Sequence, residues 1–121
     1  MFKQLEQFCS SLKGAQFDLK WDSERTYCIA EKMFVVFCPK SSDHKGATSI
    51  CFKVSPADFV ALTDIEGIIP APYLARYHWI SVERESVLSP KQLEELVKGS
   101  YDMIFSKLTK KKQQAILNKT P

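Results

Sequence analysis

Phe2, Leu5, Phe8, Cys9 and Leu12 recur at helical spacing, so the chain opens on an amphipathic helix of about three turns that Gly14 can end in left-handed backbone. From Phe17 the period drops to two. Phe17, Leu19 and Trp21 alternate with Asp18, Lys20 and Asp22, and Tyr27 and Ile29 continue the pattern of half-buried strands. Met33 to Cys38 is apolar on both faces and predicts a central strand that Pro39, lacking an N–H, must stop. Lys40 to Gly46 is polar and rich in turn formers, which gives it the composition of an exposed hairpin tip, or wing. Thr48 to Val54 alternates again, placing Ile50, Phe52 and Val54 on one face and Ser49, Cys51 and Lys53 on the other.

Ser55-Pro56-Ala57-Asp58 has the order of a helix start: a capping hydroxyl, a proline at the first position and an acid at the positive end of the dipole. Phe59, Leu62 and Ile65 are its expected buried face. Residues 66–73, with Gly67, Pro70 and Pro72, predict an extended, ordered connection. A last strand follows over 78–82, with His78, Ile80 and Val82 on one face and Tyr77, Trp79 and Ser81 on the other. Ser89-Pro90-Lys91-Gln92 reads as a capping box opening the longest helix, whose stripe is Leu93, Leu96, Val97, Tyr101, Ile104 and Leu108. Gly99 within it is expected to permit close approach to the sheet. Thr109 can cap a final helix. Strands bunched between helices and joined by short turns predict an α+β domain over 1–121, an antiparallel sheet flanked by N- and C-terminal helices.

The length of 121 residues and the apolar share of 45% agree with one domain and one core. The four cysteines, Cys9, Cys28, Cys38 and Cys51, show no zinc-site spacing. The opening residues lack the pattern of an export signal, and no apolar run is long enough to span a membrane. The expectation is a cytoplasmic protein with free thiols, no metal and no cofactor. His44 and His78 belong to no catalytic motif, the Glu94-Glu95 and Glu83/Glu85 pairs are expected to be solvated, and the glycines form no phosphate loop. These absences point away from an enzyme.

Charge changes the picture more than composition does. The formal net charge is +3, yet five lysines and no acid fall between 107 and 119, leaving 12 cations against 14 acids elsewhere. A basic terminal segment therefore sits on a slightly acidic body. For Lys110, Lys111 and Lys112 two readings stand: a solvated helix face, or a surface for phosphates. Lys40 and Lys45 are either a soluble loop tip or a basic wing on a nucleic-acid backbone. Lys53 is either a strand residue facing water or a positive floor between wings. In Tyr73-Leu74-Ala75-Arg76-Tyr77-His78-Trp79, Arg76 beside Tyr77 and Trp79 can contact phosphate and stack on bases; alternatively the rings line the core and Arg76 covers an edge. An aromatic patch of Tyr73, Tyr77 and Trp79 that docks another protein is the competing partner reading.

The same residues carry a family resemblance. Glu31-Lys32-Met33-Phe34, Phe52-Lys53-Val54-Ser55-Pro56, the run from Pro72 to Val82 and Ser100-Tyr101-Asp102, followed by Leu108 and its lysines, resemble the MmcQ/YjbR family over nearly the whole chain. The His78-Trp79 strand followed at its distance by Ser100-Tyr101 is the most specific part. Where many members have Asn-Lys, this chain has Ala75-Arg76, so the positive charge is kept and the amide is absent. The resemblance implies a CyaY/frataxin-like topology and DNA binding through a double wing motif. It does not extend to the iron site of frataxins, because the first helix carries Glu6 as its only acid.

Overall fold

The computed structural model describes residues 2–20, 24–38, 49–72 and 74–118. The strands β1 (Gln16–Lys20), β2 (Glu24–Ile29), β3 (Lys32–Cys38), β4 (Ser49–Lys53), β5 (Ile68–Pro70) and β6 (Trp79–Val82) form a six-stranded sheet in the order β1-β2-β3-β4-β6-β5. Every pairing is antiparallel. The helices are α1 (Lys3–Ser11), α2 (Pro56–Leu62), α3 (Pro90–Ser106) and α4 (Lys110–Leu117). The α+β arrangement expected from the alternation is the one observed.

Strand alternation sorts side chains into two unequal cores. On the face covered by α1 and α3, Ile50, Phe52, Val54, Ile80 and Val82 pack with Leu5, Cys9, Leu93, Val97 and Tyr101. The opposite face carries a smaller cluster in which Val36, Ala71 and Trp79 are buried against Met33, Cys38, Cys51 and Leu74. Trp79 thus belongs to a core of its own.

The predicted caps are present. Ser55, Ser89 and Thr109 each accept a backbone N–H at their helix starts, and Gln92 completes the box with the Ser89 amide. Other expectations are corrected. Ile68–Pro70 is an edge strand paired with β6 rather than a mere connection, and an edge is where proline is tolerated. The α2 face is only partly buried, with Ile65 exposed beyond its end. Gly99 faces open space, so it does not serve close packing. Gly14 does: its φ is +79°, and a Cβ there would lie 2.9 Å from Ile116 of α4.

Ala30 and Glu31 join β2 to β3 with φ of 47° and 68°, the left-handed pair that a tight hairpin turn requires. Just beyond, the β2/β3 register shifts between Tyr27 and Cys28, leaving Phe34 between the paired residues Met33 and Val35. The bulge lets Phe34 join Val35 and Phe37 in the helix-side core. The Phe34 carbonyl lies one residue beyond the last β3–β4 pair and is met by α3. The buried Ser100 hydroxyl donates to that carbonyl at 2.7 Å and accepts the Lys53 amide at 3.1 Å, bridging β3 and β4 where their direct pairing ends. Next to it, Tyr101 donates to the Lys13 carbonyl at 2.5 Å and fixes the end of α1.

Candidate functional site

Lys53 is the last residue of β4 and pairs with Trp79 of β6. Alternation points it away from the helix-side core, but it does not simply face water: it is half-buried, and Nζ donates to the Tyr77 carbonyl at 2.6 Å. Burial pulls its pKa below the ordinary lysine value, and the nearby charge of Lys107 at the end of α3 pulls it further. Lys107 is the site residue that the sequence reading passed over; it sits inside the Lys run but precedes the helix on which that reading concentrated.

The chain reaches β6 through a 3₁₀ turn, Ala75–Tyr77, followed by His78 in left-handed backbone with φ of 66°. This break corrects the predicted strand start. Tyr77 and Trp79 do not share a strand face: Trp79 is 5% exposed and Tyr77 49%. The Arg76 guanidinium carbon lies 4.8 Å from the Tyr77 ring centroid, and its Nη2 donates to the Tyr77 hydroxyl at 2.8 Å. His78 turns inward, edge-on to Phe59 at 5.6 Å between centroids.

Lys110, Lys111 and Lys112 occupy the first turn of α4 and are exposed. The helix folds back on the body, with Ile116 buried against Gly14. Lys112 lines a shallow groove of about 500 Å³ with Gln16, Ala30 and Glu31. The β2–β3 turn and the Lys53 end of β4 lie at the same end of the sheet, as the antiparallel register requires. Lys53, its partner Tyr77 and Lys112 thus lie toward one end of the domain, with Glu31 beside Lys112.

Lys40, Lys45 and Tyr73 lie outside the described residues. The strand ends that flank residues 39–48, Cys38 and Ser49, are paired with each other at the far end of β3 and β4 from Lys53, about 13 Å away along the strand.

Two cations elsewhere are paired with carboxylates. Arg25 Nε donates to Glu6 Oε2 at 2.6 Å, and Tyr27 donates to the same oxygen at 2.7 Å; Lys98 pairs with Asp102 at 2.6 Å. Among the described residues, none of Lys53, Arg76, Lys107, Lys110, Lys111 or Lys112 has a carboxylate partner. No group of three or more His, Cys, Asp or Glu that could hold a metal occurs among the described residues. No helix among them is long and apolar enough to cross a membrane. Of the cysteines, Cys9 and Cys28 are buried and Cys38 and Cys51 partly so, and burial pushes the Cys9 thiol up to about 12.

The family model described as YjbR matches residues 10–103. No curated protein matches the chain. Among solved structures, it is similar to a Deinococcus radiodurans protein described with the domain DUF419, at 20% identity and a TM-score of 0.79, covering 93% of this chain and 84% of that one. A Pseudomonas syringae protein is similar at 20% identity and a TM-score of 0.66, covering 85% of this chain and 98% of the other. At such identity the likeness is one of fold.

Proposed function

Starting from a chain that belongs to the YjbR family, we propose that it is a DNA-binding domain without catalytic activity, one that holds the phosphate backbone at the end of the sheet lined by Lys53, Arg76, Lys107 and the α4 lysines. The observation that carries this reading is the half-buried Lys53 ammonium, anchored on the Tyr77 carbonyl at 2.6 Å and unmatched by any carboxylate among the described residues. Burial first, and then the charge of Lys107, hold its pKa below the ordinary lysine value. A phosphate bound there would offset the cost of holding such a cation without a counter-charge. Lys110, Lys111 and Lys112 would extend the same surface.

Contacts of this kind release counterions and carry little sequence information. The test is fluorescence anisotropy with a labelled duplex over a range of salt concentrations. Each neutralised phosphate contributes about −0.9 to the slope of log K against log salt, so replacing both Lys53 and Lys107 by Gln should flatten the slope by about 2. Binding that ignores salt, or a slope that the double substitution leaves alone, overturns the proposal. The competing reading, an aromatic patch that docks a protein, loses ground because Trp79 is buried.

A further inference from the structure

The cationic end also presents one flat ring in a fixed pose, and from that we infer that the surface selects unpaired bases, binding single-stranded nucleic acid in preference to duplex through Tyr77. This rests on the nucleic-acid reading above and goes beyond it, because phosphate contacts alone do not distinguish the two forms in this way.

The 3₁₀ turn and the left-handed His78 hold Tyr77 off the sheet, and the residue is 49% exposed. Arg76 occupies one face of the ring, 4.8 Å from its centroid, and its bond to the hydroxyl at 2.8 Å fixes the ring's orientation. Among the described residues no other ring or cation stacks on Tyr77. A ring this exposed and backed by a planar cation can serve as a stacking platform that the cation strengthens. The same residue's carbonyl anchors Lys53 Nζ at 2.6 Å. One residue therefore places a base-stacking ring and a phosphate-binding cation within a nucleotide's reach of each other. A base inside a duplex has both faces stacked on its neighbours and cannot lie on that ring; a base in a single strand can.

The experiment compares a single-stranded oligothymidylate of about 20 nucleotides, the oligouridylate of the same length and a duplex of the same length by anisotropy at fixed low salt. Tyr77→Ala should weaken binding of both single strands by roughly tenfold and of the duplex less than twofold. Tyr77→Phe, which keeps the ring, should retain most of the affinity, and thermal unfolding of each variant shows that the fold is intact. Equal weakening on single strand and duplex, or no effect of Tyr77→Ala on either single strand, overturns the inference while leaving the phosphate reading in place. Absence of binding to all three probes at that salt overturns both. Weakening on the oligothymidylate or the oligouridylate alone supports stacking with a preference for that nucleotide.

Discussion

Trp79 and Tyr77 stand two positions apart in the chain and do opposite work. Trp79 fills the smaller core with Val36 and Ala71, whereas Tyr77 stands exposed under the Arg76 guanidinium with Lys53 tied to its carbonyl. The contrast extends to their partners. Ser100 and Tyr101, the rest of the most recognisable sequence pattern, are also spent on architecture: one bridges Phe34 and Lys53, the other fastens Lys13. The residues by which the chain is recognised hold the fold, and the candidate binding surface is built from ordinary lysines and an arginine beside them. Arg25 and Lys98 are neutralised by Glu6 and Asp102, and the half-buried Lys53 is held by a backbone carbonyl instead.

The sharpest way to break this comparison is to truncate its two aromatic members. Trp79→Ala should cost about 3–5 kcal/mol in denaturant unfolding, as expected for an aromatic core residue, and Tyr77→Ala less than about 0.5 kcal/mol. Similar losses for the two would remove the distinction. Next in size is Ser100→Ala, which strips the hydroxyl from two buried backbone groups and should destabilise by about 2–3 kcal/mol. Its remaining folded fraction should bind nucleic acid as the parent does.

A smaller effect of opposite sign is expected at the β2–β3 turn. Glu31→Gly relieves a left-handed non-glycine residue and should raise stability by about 1 kcal/mol. An unchanged unfolding midpoint would mean that the turn carries no such strain.

The smallest effect concerns pH. With Lys53 depressed in the folded state, that state binds fewer protons than the unfolded chain between the two pKa values, so stability rises with pH through that alkaline window. Lys107→Gln removes the repulsion and should make this rise shallower. NMR titration of the Lys53 side chain, moving toward the ordinary lysine range in that variant, would show it directly. A titration that does not move would separate the two lysines.

Much of this arrangement was legible from residue order. The alternation around Ile50, Phe52 and Val54, the three hydroxyl caps and the stripe from Leu93 to Leu108 reported local periodicities that tertiary packing preserved. What escaped depended on relations between distant segments. The β5 edge strand is short and hidden by Gly67 and Pro70, and only its ladder to β6 defines it. The Phe34 bulge follows from the register of β2 against β3, which no single strand encodes. Gly99 looked like a packing device, but its neighbour Ser100 makes the helix-to-sheet contact. For the candidate surface, Lys53, Arg76 and the α4 lysines could be named from type and position, but not the carbonyl that gathers Lys53 onto Tyr77 or the approach of Lys107. A left-handed His78 is likewise invisible in a pattern that alternates smoothly into Trp79 and Ile80.

The central claim is spatial, and backbone amide shifts recorded by NMR during titration with a single-stranded oligonucleotide test it most directly. The account predicts perturbations concentrated at Lys53, Arg76, Tyr77, Lys107 and Lys110 to Lys112, with the α1 surface and the β1 edge around Phe17 and Leu19 silent. Perturbations centred on that edge or on α1, with the Lys53 end unmoved, would contradict it.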